Sequence, residues 1–314
     1  MSQVMAAPDR NPRFDCRTLV ADFFAEAEEL RSEFEARVGP ARSADPARFA
    51  WDYWHVPDQY TYLRTAPRRF FDAARYGRLV AALRAWGGEH LGCGQISEPW
   101  LSYYIDGCHQ ELHTDVVQGP FAFVYSLTPW DERTFRGGET VLMRPELLDY
   151  WTYYDATRSC ERDELVERIP ARFNQLLVFD ARVPHGAAAV DGTRDPLEGR
   201  VAVHGWFQPP RLVVAGALRM TQLEPEVEAA RRRWRAAIPA DAGLTGFVVV
   251  RTTVEPSGSV ASTLRLVSTL VSTTHAAGAA EAAAKVAVQA LGALELPAAA
   301  GPTIMTVPFS AEVR

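Results

Sequence analysis

The sequence predicts a mainly β protein with flanking helices, an α+β chain in two parts, and three observations carry that expectation. Residues 100–207 hold several short apolar runs separated by turn residues, the pattern of a small barrel or sandwich. Helical periodicity precedes them. After Pro209-Pro210 the composition shifts to alternating segments around an Ala-rich run, which reads as a separate ββαβ module.

Each element follows from local patterning. From Arg17 to Val38, Leu19, Phe23, Phe24, Ala27, Leu30 and Phe34 recur at helical spacing, and Gly39-Pro40 closes the helix. An aromatic cluster over 49–62 follows, read first as packing and second as the wall or lid of a pocket, with His55 as a structural histidine. A second helix spans Pro67 to Trp86 and ends at Gly87-Gly88. Trp100 to Asp115 reads as strand, turn and strand, with Asp106-Gly107 as the turn, and Phe121 to Leu127 is a short apolar strand. Arg136 to Thr140 turns into Val141-Leu142-Met143, and Pro145 to Arg168 is helical or irregular, with Trp151, Tyr153 and Tyr154 as packing residues. Asn174 to Asp180 is a nearly continuous apolar run, hence a strand buried on both faces. Arg200 to Phe207 is a further strand.

The expected domains are 1–210, with a helical part at 15–92 and a β core at 95–208, then a helical linker at 211–242, then the module at 243–314. Within the linker, Gln222 to Ile238 is a helix with Glu early and Arg late, which suits its dipole. The module consists of strands at 246–254 and 260–270, a helix at 276–291 and a strand at 303–309.

Composition excludes several classes. A chain of 314 residues that is 47% hydrophobic can bury a sizeable core. The formal charge of −6, with no basic block beyond Arg231-Arg232-Arg233, argues against nucleic acid as a partner. No run of 18 apolar residues and no leader pattern occurs, so no membrane partner is expected. Cys16, Cys93, Cys108 and Cys160 show no CxxC spacing, which suits reduced thiols in a cytoplasm. The only lysine is Lys285, so a carboxylate clamp in the first two-thirds of the chain must use arginine.

The stretch that organises the first part is Leu101 to Asp115, and within it His113-Thr114-Asp115. On a strand, residues i and i+2 share a face, so an imidazole and a carboxylate converge. Two histidines and one carboxylate leave positions open at a ferrous ion, so a second histidine is required from elsewhere. His185, about seventy residues later, can supply it. Arg200, on the following strand, could grip a dicarboxylate bidentately.

With these residues in order, the chain resembles the 2-oxoglutarate and iron(II)-dependent oxygenases, most closely their prolyl-hydroxylase-like group. Tyr104 and Gly107 precede His113 by nine and six residues. Tyr125-Ser126-Leu127 and Gly137-Gly138-Glu139-Thr140 follow, Leu177-Val178-Phe179-Asp180 leads to His185, and Arg200 stands six residues before Trp206. The resemblance covers 95–208. Position 202, often a hydroxylated residue in that group, is Ala here.

What the resemblance implies is a double-stranded β-helix, or jelly-roll, holding Fe(II) through His113, Asp115 and His185. It also implies 2-oxoglutarate and O2 as co-substrates, with ascorbate as an optional reductant, and Arg200 with Tyr104 on the far carboxylate of 2-oxoglutarate. The pleat lets only one of Tyr103 and Tyr104 face that site. The related halogenases lack the carboxylate, so Asp115 favours hydroxylation. Tyr125, His204 and Trp206 are candidates for contact with the ligand set or the substrate, His204 above all, whereas Cys108 and His109 are read as structural.

The C-terminal segment resembles the periplasmic domain of TonB-like proteins, on Gly246 to Val250, the Pro256 to Val260 turn, the Ala-rich helix and Leu296-Pro297-Ala298 leading to Thr306 to Phe309. Only the fold carries over. The module would recruit a protein partner or a second copy through its sheet edge, or serve as a structural appendage. The expected function is hydroxylation of an amino-acid side chain, peptidyl or free, in an amino-acid, peptide or protein substrate. The second reading is a catalytically silent oxygenase fold that acts through its C-terminal module.

Overall fold

The computed structural model describes residues 17–38, 51–144, 165–274 and 276–311. Expectations for Cys16, Gly39-Pro40, Cys160 and the stretch with Trp151, Tyr153 and Tyr154 lie outside those residues. The chain divides into two units: residues 17–83 with 96–208, and residues 84–95 with 209–314.

The first unit is one curled antiparallel sheet of eleven strands with helices beside it. In chain order the elements are β1 (Arg17–Val20), α1 (Ala27–Val38), β2 (Asp52–Val56), β3 (Tyr60–Thr65), α2 (Ala73–His90), β4 (Trp100–Tyr104), β5 (His109–His113), β6 (Phe121–Ser126), β7 (Thr140–Met143), β8 (Val166–Ile169), β9 (Leu176–Asp180), β10 (His185–Ala187) and β11 (Arg200–Phe207). The strands lie in the order β1-β9-β6-β11-β4-β3-β5-β10-β7-β8, with β2 on β3. This is the jelly-roll expected of the sequence. The sheet curls where β3 changes partner: residues 63–65 pair with β4, and residues 60–61 pair with β5. The chain at 105–108 therefore crosses from one wall of the roll to the other.

Two local readings are corrected. Residues 17–20 form a strand rather than the start of a helix, because all four pair with β9. Helix α2 runs through Gly87 and Gly88 to His90, and stops where Gly92 takes φ +70°. Residues 100–113 hold the expected strand, turn and strand, with β4 and β5 both pairing with β3 instead of with each other. Residues 176–180 are buried throughout, as their apolar run requires.

The second unit adds β12 (Val213–Gly216), α3 (Met220–Ala237), β13 (Leu244–Val254), β14 (Val260–Ser268), β15 (Val271–Ser272), α4 (Ala279–Gly292) and β16 (Thr303–Ala311). Its sheet order is β12-β16-β13-β14, with β15 on β13. The ββαβ pattern is present, but residues 211–242 are not a linker. Strand β12 pairs with β16, and α3 buries Leu223, Val227, Ala230 and Trp234 against the same core as Val248, Val250 and Phe309. The Trp234 Nε1–H donates to the Ala283 carbonyl at 2.8 Å, which ties α3 to α4. Among the described residues no helix is long and apolar enough to cross a membrane.

Candidate metal centre and co-substrate pocket

His113 and His185 face each other across neighbouring strands. They are register partners of β5 and β10, and their ring centroids lie 4.5 Å apart. Each ring is pinned the same way: Nδ1 bonds the carbonyl two residues earlier, Glu111 at 2.8 Å for His113 and Val183 at 2.9 Å for His185. A backbone carbonyl can only accept, so Nδ1 carries a proton in both rings and Nε2 is the atom turned toward Asp115. Fixing the tautomer through the outer nitrogen is how histidines are prepared for a metal.

Asp115 completes the group, although not as a strand residue. Strand β5 ends at His113, and the Asp115 N–H donates to the Ala181 carbonyl at 2.9 Å, which turns the chain. The carboxylate nonetheless reaches both rings, with Oδ2 at 3.1 Å from His185 Nε2 and Oδ1 at 3.8 Å from His113 Nε2. One ligand atom from each of the three side chains falls within 4.8 Å of the others. Close backbone packing permits this: a Cβ at Gly186 would lie 2.3 Å from the Gln110 carbonyl oxygen, so only glycine lets β10 approach β5 here.

Electrostatics favour ligand protonation states. Burial lowers the pKa of His113, so its ring is neutral at neutral pH. Burial works to raise Asp115, yet the hydrogen bond and charge of His185 and the donated N–H of Trp206 hold it below the ordinary value. The triad thus offers two imidazoles and one carboxylate, a donor set suited to ferrous iron.

A cavity of about 250 Å³ adjoins the triad. At its far side Arg200 is 3% exposed, directly across from Tyr104 in the β11–β4 register, with its guanidinium 4.9 Å from the Tyr104 ring centre. Its Nη2 donates to Thr140 Oγ1 at 2.9 Å, whereas Nε and Nη1 are buried without a partner. A buried, unpaired guanidinium costs several kcal/mol, so the arrangement calls for an anion. Two buried unpaired donors on one guanidinium fit a carboxylate.

Tyr104 lines the cavity, and its hydroxyl donates to Gln110 Oε1 at 2.8 Å. Tyr103 packs away from it, 4.4 Å from the Trp51 ring. Trp206 reaches the triad, its Nε1–H donating to Asp115 Oδ2 at 2.9 Å. His204 lines the cavity, and its enclosed Nε2 has no hydrogen-bond partner.

Tyr125 is a correction. It does not line the cavity, as Ala122, Phe123 and Val124 of β6 do, and its hydroxyl donates to Asn174 Oδ1. Phe23 packs edge-on against its ring, so it anchors the N-terminal segment and touches no ligand site. Sequence reasoning missed Gln110, Thr140 and Arg64, all of which line the cavity. Of these, Thr140 stood in the quoted Gly-Gly-Glu-Thr turn, and its hydroxyl was the available signal. The aromatic cluster is divided, with Trp54, Tyr60 and Tyr62 on the cavity and Trp51 in the packing around Phe70 and Tyr103.

Residues 99–208 match the family model described as the 2OG-Fe(II) oxygenase superfamily. The match spans about a third of the chain, and the family it describes is one of Fe(II)- and 2-oxoglutarate-dependent oxygenases. Among solved structures, the chain is similar to a prolyl-4-hydroxylase of Pseudomonas putida, at 16% identity over 62% of this chain and 92% of that one, with a TM-score of 0.43. A prolyl hydroxylase of Trichoplax adhaerens, solved with a hypoxia inducible factor peptide fragment, gives 15% identity over 61% and 83%, with a TM-score of 0.42. The non-heme alpha ketoglutarate dependent epimerase SnoN from nogalamycin biosynthesis gives 15% over 62% and 77%, with a TM-score of 0.41. No curated protein matches the chain.

Proposed function

We propose that this chain is a non-haem Fe(II)- and 2-oxoglutarate-dependent hydroxylase. It acts on an unactivated C–H of an amino-acid side chain, peptidyl, prolyl included, or free, with succinate and CO2 as co-products. The observation that carries this reading is Arg200, a buried guanidinium with two unpaired donors in the same cavity as a preorganised His-Asp-His set.

In this reading His113, Asp115 and His185 hold the metal through Nε2, one carboxylate oxygen and Nε2. When bound, the iron couples oxidative decarboxylation of 2-oxoglutarate to transfer of one oxygen atom of O2 into the substrate C–H, with ascorbate as an optional reductant. Arg200 takes the far carboxylate of 2-oxoglutarate, and Thr140 holds the guanidinium in plane for it. Tyr104 walls the same end with its buried ring. The Nδ1 hydrogen bonds keep both imidazoles turned toward the metal, and the Trp206 indole fixes the Asp115 rotamer. The walls at Phe179 and Tyr62 exclude water from the reacting centre.

For the second unit we carry a TonB C-terminal-like fold, with residues 243–314 recruiting a protein partner or a second copy. The support is β14, whose outer edge has no strand partner among the described residues. A cytoplasmic location rests on the cysteine usage alone.

Anaerobic titration of the Fe(II)-loaded protein with 2-oxoglutarate tests the assignment. A weak visible charge-transfer band that needs far more co-substrate in Arg200→Ala establishes metal, co-substrate and clamp together. No band in the wild type rejects it.

A further inference from the structure

The cavity holds a second guanidinium that neither the metal nor the co-substrate requires. Arg64 lies on β3, opposite Ser102 of β4, which in turn is opposite Ala202 of β11. This row is two residues along the strands from the row of Arg200 and Tyr104, a displacement of roughly 7 Å. The Arg64 guanidinium is held between two indoles, 3.4 Å from the Trp54 ring centre and 4.0 Å from that of Trp100. Indoles on both faces leave only the edge of the guanidinium, with its N–H donors, for a ligand.

Those donors are under-used. Arg64 Nε is buried without a hydrogen-bond partner, and among the described residues no carboxylate pairs with this side chain. Its remaining polar tie is to the phenol of Tyr62. Stacking on tryptophan alone would stabilise an exposed arginine by about 0.5–1 kcal/mol, and it requires no opening onto the cavity. Arg64 instead lines the cavity, together with Arg200 and, among the described residues, a single acid, Asp115.

Counting formal charge sharpens the point. Iron would bring two positive charges and Arg200 one, while Asp115 brings one negative charge and 2-oxoglutarate two. Imidazoles that ligate a metal do so neutral, so these cancel and Arg64 is left over. A low-dielectric cavity penalises an unpaired guanidinium, and a carboxylate on its edge pairs it.

We infer that the substrate carries a free carboxylate bound by Arg64, which makes it a free amino acid rather than an internal residue of a peptide. This rests on the oxygenase reading above and selects within it. The Arg64 edge orients the carboxylate. The unpartnered Nε2 of His204, on the same cavity wall, provides a second polar contact for the substrate.

The test uses the full chain loaded with Fe(II). First, anaerobic 2-oxoglutarate titrations compare wild type with Arg64→Gln. The co-substrate dissociation constant should change less than about three-fold, since the lost contact lies elsewhere. A rise as large as that in Arg200→Ala would assign Arg64 to the co-substrate and overturn the inference. Absence of the band in the wild type removes the oxygenase reading itself, and this inference with it.

Second, succinate release is measured with a mixture of the common L-amino acids and with a mixture of their C-terminal amides. The acids should stimulate release and the amides should not. The KM of the stimulating acid should rise about ten- to hundred-fold in Arg64→Gln, the range for a charged hydrogen bond, with partial recovery in Arg64→Lys. If the band forms but amides serve as well as acids, if the acids do not stimulate, or if KM is unchanged, the carboxylate assignment is wrong while the oxygenase reading stands.

Discussion

Trp206 donates its indole N–H to Asp115 Oδ2 at 2.9 Å, from a strand that contributes no ligand to the His-Asp-His set. The same oxygen lies 3.1 Å from His185 Nε2, so one indole fixes the angle at which the carboxylate meets both rings. Replacing Trp206 by Phe keeps most of the ring volume and deletes the donor. Fe(II) affinity should fall about ten-fold, the usual loss when a partner of a metal ligand is removed, with turnover restored at saturating iron. Asp115→Ala should abolish iron-dependent succinate production at any iron concentration. Iron titrations with succinate as the readout separate the two cases, and retained turnover would remove Asp115 from the ligand set.

Arg200 and Thr140 form the second dependency. Thr140→Val leaves Arg200 Nη2 without its 2.9 Å acceptor and frees the guanidinium to rotate. A hydrogen bond of this kind is worth about 1 kcal/mol, so the 2-oxoglutarate dissociation constant should rise roughly five-fold. Arg200→Lys should lie well above that, because an ammonium cannot match a carboxylate with a planar fork. Equal affinity in Thr140→Val and wild type would show that Arg200 needs no such support.

His204 sets a pH dependence of stability. Burial lowers its pKa from 6.5 to about 4, helped by the charges of Arg200 and Arg64 and opposed by Asp115. With the folded value below the unfolded one, the unfolded chain takes up the proton first as pH falls. Stability therefore drops between about pH 6.5 and 4, by at most roughly 3 kcal/mol at 1.4 kcal/mol per unit. Above that window the ring is neutral in both states and contributes no slope. In metal-free protein, the melting temperature of His204→Leu should fall less steeply than wild type over this range, and parallel curves would contradict the assignment.

Legibility in the sequence followed the range of the interaction. The His113 and Asp115 pair was readable from its place in an ordered set of motifs, but the pleat does not place Asp115, which a bond to the Ala181 carbonyl turns beyond the end of β5. His185 and Arg200 were readable because ordered short motifs precede each. Arg64 was not, since its meaning depends on lying in one row with Ser102 and Ala202, a register that no pattern within 49–65 records. Tyr125 failed for the converse reason. It stands in a matched motif, but it is buried away from the cavity lining, against Phe23, and Asn174 receives its hydroxyl. The linker reading of 211–242 failed because the amphipathic face of α3 has no local partner and finds one in residues some fifty positions later.

That last point yields a prediction about where the chain can be cut. Trp234 is 1% exposed, donates to the Ala283 carbonyl at 2.8 Å and stacks edge-on against Phe309, so α3 belongs to the sheet formed by β12, β13, β14 and β16. A truncation after residue 242 strips these partners and exposes Leu223, Val227 and Trp234 together on one helix face. Such a fragment should bind a hydrophobic dye and self-associate in sedimentation, whereas the full chain should not. Trp234→Ala in the full chain removes the same anchor without cutting, and should destabilise the second unit by about 3–5 kcal/mol. Denaturation followed by the Fe(II)–2-oxoglutarate band and by far-ultraviolet circular dichroism distinguishes the units. A Trp234→Ala chain that keeps the band while losing part of its dichroism at lower denaturant would place the damage in 209–314. Unchanged stability would return α3 to the role of a connector.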